Sequence, residues 1–155
     1  MTEQARDFAL HMKCVLPAAP TAVFEAFTKP EKLAMWWGPR GFSIPSIEID
    51  FRVGGQYRFA MQPPDGVLFH LTGKFCEIDP PSRLSYTFVW EPPDPDDQET
   101  VVTLSFQDAD KSTEVDLTQR VFATKARRTL HERGWTDSFE RLREALSADL
   151  ARFTK

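Results

Sequence analysis

Residues 134–153 read GWTDSFERLREALSADLARF and carry a long amphipathic helical pattern. Apolar side chains recur every three or four residues, while glutamates and arginines occupy the other side. The apolar positions are Trp135, Phe139, Leu142, Leu146, Leu150 and Phe153. The pattern predicts a C-terminal helix. A short turn over residues 124–133 is predicted to precede it and to pivot at Gly134.

Most of the chain before this helix has the pattern of short strands. Apolar and polar residues alternate in runs that are separated by turn-forming residues. The predicted strands are Phe8–Leu16, Ile47–Val53, Gln56–Gln62, Val67–Ile78, Arg83–Trp90, Thr100–Gln107 and Ser112–Phe122. Between the second and third strands, Gly54-Gly55 predicts a tight hairpin turn, because both central residues of such a turn need positive φ.

Two short helices are predicted between the first and second strands. Pro20 suits the first turn of a helix that runs to Thr28. The sequence Thr28-Lys-Pro-Glu31 fits a capping box, so a second helix is predicted from Pro30 to Trp36. Gly38-Pro39 is expected to end it.

This order predicts an α+β fold with a seven-stranded antiparallel sheet and a long C-terminal helix. The last helix offers the only long apolar surface able to cover one face of the sheet. We find no internal repeat or linker, so residues 1–155 are predicted to form a single domain.

A pocket is predicted between the sheet and the last helix. A helix about 10 Å across cannot contact every large side chain on a wide curved sheet, so space is expected to remain. One of Trp36 and Trp37 is expected to fill the core and the other to line or gate the pocket. The predicted pocket residues are Trp36, Trp37, Phe59, Met61, Phe69, Tyr86, Phe88, Trp90, Phe106, Trp135 and Phe139.

The fourth strand does not fit a simple alternation. Phe69, Leu71 and Phe75 have one parity, and Cys76 and Ile78 have the other. A bulge near Gly73 would turn Phe69 and Leu71, and then Cys76 and Ile78, toward the interior. Without it, Glu77 would be a buried acid with a raised pKa and a candidate general base.

Composition excludes several classes of function. The net charge of -4 disfavours nucleic-acid binding. No apolar run is long enough to cross a membrane, and residues 1–7 lack the pattern of a secretory signal. We therefore predict a cytoplasmic protein without membrane insertion, with Cys14 and Cys76 reduced and buried. No motif predicts a metal site or a cofactor.

The chain resembles the bacterial proteins similar to the activator of Hsp90 ATPase, within the START/Bet v 1-like (SRPBCC) superfamily. The resemblance rests on the order of several motifs, which are Val23-Phe-Glu-Ala-Phe27, Trp36-Trp-Gly-Pro39, Asp50-Phe-Arg-Val-Gly-Gly-Gln-Tyr-Arg-Phe59, Pro64-Asp-Gly66, Gly73-Lys-Phe-Cys-Glu-Ile-Asp-Pro-Pro-Ser-Arg-Leu84 and Gly134-Trp135. It implies the helix-grip fold and a module that binds small molecules or associates with chaperones.

Three functional hypotheses remain open at this point. The leading one is a non-enzymatic or cryptically catalytic protein that binds an apolar, aromatic or lipid-like molecule. The second is an enzyme of the polyketide-cyclase kind that uses Glu77, His70 or Tyr86 as acid or base. The third is a protein-interaction module with a chaperone or regulator as partner. A homodimer is also compatible with the sequence.

The remaining polar clusters are predicted to be structural or solvated. His11, His70 and His131 have no nucleophile or metal-like spacing nearby. The acidic loop 91–99 has prolines where a calcium loop needs glycine, so it is expected to be solvated. The arginines of the last segment are expected to form a solubilising surface; they are Arg127, Arg128, Arg133, Arg141 and Arg143.

Overall fold

A computed structural model describes residues 8–153, with side chains described through residue 148. The strands are β1 (Phe8–Leu16), β2 (Ser43–Ile49), β3 (Gln56–Gln62), β4 (Phe69–Asp79), β5 (Arg83–Glu91), β6 (Thr100–Asp108) and β7 (Thr113–Phe122). The helices are α1 (Pro20–Thr28), α2 (Pro30–Trp36) and α3 (Lys125–Phe153). The side chains of Leu150 and Phe153, which were predicted to be on the apolar face, lie outside the described part of the chain. Residues 1–7 also lie outside it.

The strands form one antiparallel sheet in the order β1-β7-β6-β5-β4-β3-β2. Buried side chains alternate along β3, β5, β6 and β7, so one face of the sheet is apolar. Trp135, Phe139 and Leu142 of α3 pack in the same core as Leu104 of β6 and Leu117 of β7. The predicted α+β helix-grip fold is confirmed.

The last helix is longer than predicted. It is continuous from Lys125 through Gly134, so the predicted turn over 124–133 is wrong. The Thr124 hydroxyl accepts a hydrogen bond from the Arg127 backbone N–H at 3.1 Å, which is the arrangement of an N-cap. One glycine costs only about 1 kcal/mol inside a helix, and this capped, partly buried helix continues through it.

The predicted capping box of α2 does not form. Thr28 instead donates its hydroxyl to the carbonyl of Phe24, one turn back in α1, at 3.0 Å. Lys29 is the N-cap residue of α2 and makes no side-chain capping bond. Of the two sequence features that predicted the start of α2, the capping box and Pro30, only Pro30 at the first helical position is realised.

Gly54 and Gly55 belong to a connection between β2 and β3 that is longer than the predicted two-residue turn. Strand β2 ends at Ile49, so a longer connection replaces the predicted two-residue turn. Gly54 has φ +85, and a Cβ on Gly55 would lie 2.0 Å from the Asp50 carbonyl oxygen. Both glycines also bond Phe75 of β4 through the backbone.

The bulge of β4 lies after Phe75 and not near Gly73. The register shifts between Phe75 and Glu77, so Phe75 stays on the buried face. Cys76 is exposed, which contradicts the prediction that both cysteines are buried, and Cys14 is partly buried. Glu77 is half-exposed and pairs with Arg83 at 3.2 Å, so the alternative of a buried Glu77 is wrong.

Candidate ligand-binding site

An apolar cavity of about 280 Å³ lies beside the first half of α3. Strands β3, β4 and β5 form one wall, α3 forms the second, and the segment between α2 and β2 forms the third. The apolar lining residues are Trp37, Pro39, Phe42, Met61, Phe69, Phe88, Trp90, Leu130 and Trp135, with Gly38 and Gly134 between them. Arg127, His131, Arg133, Asp137 and Ser138 add polar groups.

Gly134 gives the helical wall its concave shape. A Cβ added to this residue would have no heavy atom within 4 Å, so its missing side chain leaves open space. Next to it, Trp135 is fixed in orientation because its indole Nε1 donates to Gln119 Oε1 of β7 at 2.8 Å. Gln119 in turn donates to the Thr100 hydroxyl at 2.8 Å, and Gln119 is fully buried. The wall is thus anchored to the sheet by hydrogen bonds as well as by packing.

The turn that follows α2 is held against α3. Arg141 donates from one guanidinium nitrogen to the carbonyls of Trp37 and Gly38, both at 3.1 Å. The Gly38 backbone N–H donates to the Ser138 hydroxyl at 3.1 Å. Gly38 has φ +94, a conformation that side-chain-bearing residues rarely adopt. These contacts place the Trp37 indole between the turn and Trp135, with ring centroids 5.2 Å apart.

Ring contacts build the sheet wall. Phe69 and Trp90 pack edge to face with centroids 5.3 Å apart, and Phe88 and Trp90 do so at 5.0 Å. Phe42 lines the cavity beside Phe69, with ring centroids 6.2 Å apart. The Trp90 indole Nε1 donates to His131 Nε2 of α3 at 3.2 Å, which joins the sheet wall to the helix.

His131 is an uncharged part of this wall at neutral pH. Burial lowers the pKa of His131 from 6.5 to about 4, and nearby Arg127 lowers it further. The neutral ring can accept the Trp90 hydrogen bond, whereas a protonated ring could not.

We expect the stability of the protein to fall between pH 7 and pH 5 because of His131. Its pKa is lower in the folded chain than in the unfolded chain, so protons bind the unfolded chain first as the pH drops below 6.5. The expected loss is about 2 kcal/mol of unfolding free energy at pH 5. Urea titrations at both pH values measure it. His131→Gln keeps an acceptor for Trp90 without the titration, so an equal loss in this variant would contradict the assignment.

The acidic loop is exposed at most of its residues, as predicted, but its Asp97 is docked on Arg127. Arg127 Nη2 lies 2.5 Å from Asp97 Oδ1, and the side chains of Arg127 and Asp97 are only 12% and 8% exposed. Asp94 and Asp96 also lie within ion-pair distance of the guanidinium. Arg127 and Arg141 are therefore structural groups, and the prediction that all five arginines only solubilise the surface is wrong for these two.

The structure brings only some of the predicted pocket residues to the cavity. Those that line it are Trp37, Met61, Phe69, Phe88, Trp90 and Trp135. Trp36 and Phe106 instead pack around Phe27 in the core beneath α1, with ring centroids 4.7 and 5.4 Å from it. Phe139 stacks on Trp135 away from the cavity, and Phe59 lies behind Trp37. Ligand contact by the lining residues stays a prediction.

Several cavity residues were missed by the sequence analysis. His131 and Leu130 fall within the segment that was predicted to be a turn, so their helical position was not recognised. His131 lies four residues before Trp135, and a helix extended to residue 125 would have placed both on one face. Phe42 lies in an irregular segment, where no periodicity indicates which way a side chain points.

The candidate acids and bases do not form a reactive centre at the cavity. Glu77 pairs with Arg83, and neither Glu77 nor His70 lines the cavity. Tyr86 is buried behind Trp37 and lines a separate void of about 20 Å³. Burial raises the pKa of Tyr86 far above its ordinary value, so its hydroxyl cannot act as a base near neutral pH.

Two absences within the described residues bear on the class of site. No cluster of three or more His, Cys, Asp or Glu side chains with metal-binding geometry occurs in the described part of the chain. Within residues 8–153, no helix combines the length and the apolar character that crossing a membrane requires.

The fold and the site define a helix-grip domain with an aromatic-walled cavity beside its C-terminal helix. Residues 17–147 match the family model for activator of Hsp90 ATPase homolog 1-like proteins, and the chain belongs to this family. The resemblance inferred from the sequence motifs is thereby confirmed. No curated protein sequence matches the chain significantly.

Solved structures of bacterial proteins share this fold. Protein CV1439 from Chromobacterium violaceum is 25% identical, with a TM-score of 0.82 over 89% of this chain and 96% of that one. Protein NE0264 from Nitrosomonas europaea is 27% identical, with a TM-score of 0.78 over 93% and 97%. The SPO3351 protein from Silicibacter pomeroyi is 26% identical, with a TM-score of 0.80 over 91% and 99%.

Proposed function

We propose that this protein binds a small, mainly apolar molecule with aromatic rings in the cavity beside α3. The observation that carries the proposal is the open space at Gly134, opposite the ring wall of Phe69, Phe88 and Trp90. A close-packed core rarely leaves a void larger than a water molecule. A preformed apolar recess with a few polar groups at its side is the usual form of a small-molecule site.

The volume limits the size of the ligand. A cavity of roughly 150 Å³ holds benzene, and the volume here is about 280 Å³. A ligand with about two rings therefore fits. If it buries roughly 250 Å² of apolar surface, the gain is about 6 kcal/mol before the cost of immobilisation. Because immobilisation reduces this gain, the expected Kd is no tighter than about 10–100 μM.

Catalysis is less well supported than binding. Glu77 and His70 lie away from the cavity, and the phenol of Tyr86 remains protonated. The cytoplasmic location, the homodimer and the chaperone or regulator partner remain hypotheses that rest on the sequence alone.

We expect Gly134→Leu to abolish ligand binding while the fold is retained. The leucine side chain would enter the open space in the cavity, and the loss of a helical glycine would raise stability by about 0.5–1 kcal/mol. Binding of the neutral two-ring fluorescent probe 1-aminonaphthalene is the measurement. Its affinity should fall at least tenfold in the variant.

Two matched variants separate cavity filling from other effects. Gly134→Ala gains a similar helix propensity but adds only a methyl group, so it should retain most of the binding. Thr136→Leu adds the same apolar side chain at an exposed position of the same helix and should bind like the unmodified protein. If the probe binds Gly134→Leu as tightly as the unmodified chain, or does not bind the unmodified chain at all, the proposed function is wrong.

A further inference from the structure

A second, smaller void lies behind the cavity, and Trp37 separates the two. The void has a volume of about 20 Å³ and is lined by Tyr57, Phe59, Phe75 and Tyr86, among other residues. Trp37 belongs to the wall of the void and to the wall of the cavity. A displacement of its indole ring would therefore join the two spaces.

The Trp37 side chain is held differently from the other three tryptophans. Trp36, Trp90 and Trp135 each donate the indole N–H to a protein acceptor, at 2.9, 3.2 and 2.8 Å respectively. Within the described residues, the Trp37 indole N–H has no acceptor. Its backbone carbonyl accepts a hydrogen bond from Arg141, and the backbone N–H of the next residue, Gly38, donates to Ser138. The turn is thus anchored while the ring is held by packing alone.

The void contains a polar group that the protein leaves unpaired. Tyr86 is 5% exposed, and no atom of the described residues accepts a hydrogen bond from its hydroxyl. Its neighbour Tyr57, with a ring centroid 5.5 Å away, donates to the Thr87 carbonyl at 2.5 Å. A buried hydroxyl without a partner costs about 1–3 kcal/mol. Tyr57 thus has an acceptor within the protein, whereas the Tyr86 hydroxyl has none among the described residues.

We propose that the ligand carries a hydrogen-bond-accepting oxygen at its buried end and that the Tyr86 hydroxyl donates to this oxygen once the Trp37 ring turns aside. The proposal rests on the proposed function, since the ligand must first occupy the cavity. Burial keeps Tyr86 protonated by raising its pKa, so the group is a donor across the physiological range. Its preferred partner is a carbonyl or ether oxygen, because a carboxylate would have to give up its hydration among the surrounding apolar rings.

Two ligands of equal shape test the proposal. 2-Acetylnaphthalene has a carbonyl oxygen where 2-isopropenylnaphthalene has a methylene group, and each can be titrated against bound 1-aminonaphthalene. The ketone should bind about tenfold more tightly to the unmodified protein. In Tyr86→Phe the ketone-to-alkene affinity ratio should fall at least tenfold, to parity or to a preference for the alkene, because the buried carbonyl then has no donor. The affinity for the alkene should stay unchanged. Tyr86→Phe should fold normally, because it removes only a hydroxyl without a protein partner.

The outcomes separate this inference from the function on which it rests. If both ligands displace the probe but the ratio of their affinities is the same in the unmodified protein and in Tyr86→Phe, the inference is wrong and the binding function stands. A water molecule resident at Tyr86 would give this result. If neither ligand nor the probe binds, both are wrong. A crystal structure of the ketone complex should place its oxygen within hydrogen-bond distance of Tyr86 Oη with the Trp37 ring displaced. An oxygen at the cavity mouth would overturn the inference.

Discussion

Replacing Gln119 with leucine is expected to lower the free energy of unfolding by about 3 kcal/mol. The side chain is fully buried, and its amide joins the Trp135 indole N–H of α3 to the Thr100 hydroxyl of β6. Leucine has a similar volume, so little cavity forms. The cost arises because the Trp135 donor and the Thr100 hydroxyl lose their partner in the interior, at about 1–3 kcal/mol each. Urea unfolding followed by circular dichroism measures the change.

The double variant Gln119→Leu, Trp135→Phe tests the cause. Phenylalanine removes the unpaired indole N–H, so the double variant should be more stable than the sum of the two single losses predicts. A Trp135 without its partner should also lose its fixed orientation, and probe binding in Gln119→Leu should weaken. Additive losses would show that the hydrogen bond between Gln119 and Trp135 does not anchor the helix.

Replacing Arg127 with methionine is expected to cost about 3 kcal/mol and to release the acidic loop. Methionine retains much of the apolar stem but removes the charge that Asp97 faces at 2.5 Å. Because the Asp97 side chain is only 8% exposed, its carboxylate would be left nearly buried without a counter-charge, with the Asp94 backbone N–H at 2.7 Å as its remaining partner. Breaking such a pair from one side typically costs about 3–5 kcal/mol. Urea unfolding gives the loss, and amide hydrogen exchange of residues 91–99 reports on the loop.

A double variant provides the control for this ion pair. Adding Asp97→Asn to Arg127→Met removes the unpaired charge and should recover part of the lost stability. A loss below about 0.5 kcal/mol in Arg127→Met would instead have the magnitude of an exposed ion pair. In that case the loop would be solvated in solution, as the sequence composition suggested.

The sequence predicted regular elements well where their signal is local. Alternation placed β1 and β3 at the residues that the structure shows, and the prolines at positions 20 and 30 placed both short helices. Strand β4 was placed less well, because a bulge removes the alternation on which the prediction depends. A bulge at Gly73 would have turned Cys76 toward the interior, whereas the observed bulge after Phe75 leaves it on the exposed face.

The candidate site was only partly predictable. Alternation correctly placed large apolar residues of β3, β4 and β5 beside one another on the inner face of the sheet. The same face also carries Tyr86 and Phe59, which were predicted to line the pocket but lie behind Trp37. Gln119 could have been noticed, since it has the parity of Val115 and Leu117 on the buried face of β7. A polar residue at such a position requires a partner, but the sequence cannot identify Trp135 as that partner.

The sequence by itself determined the order of the elements, the apolar faces and the family, because alternation, helical periodicity and turn residues act over a few neighbouring positions. Only the tertiary structure decided which apolar residues meet and which surround a cavity. Trp36 and Trp37 are adjacent in the chain and chemically identical, yet one fills the core and the other lines the cavity. The physical reason is that packing depends on distances between segments far apart in sequence, and these distances are set only when α3 closes over the sheet.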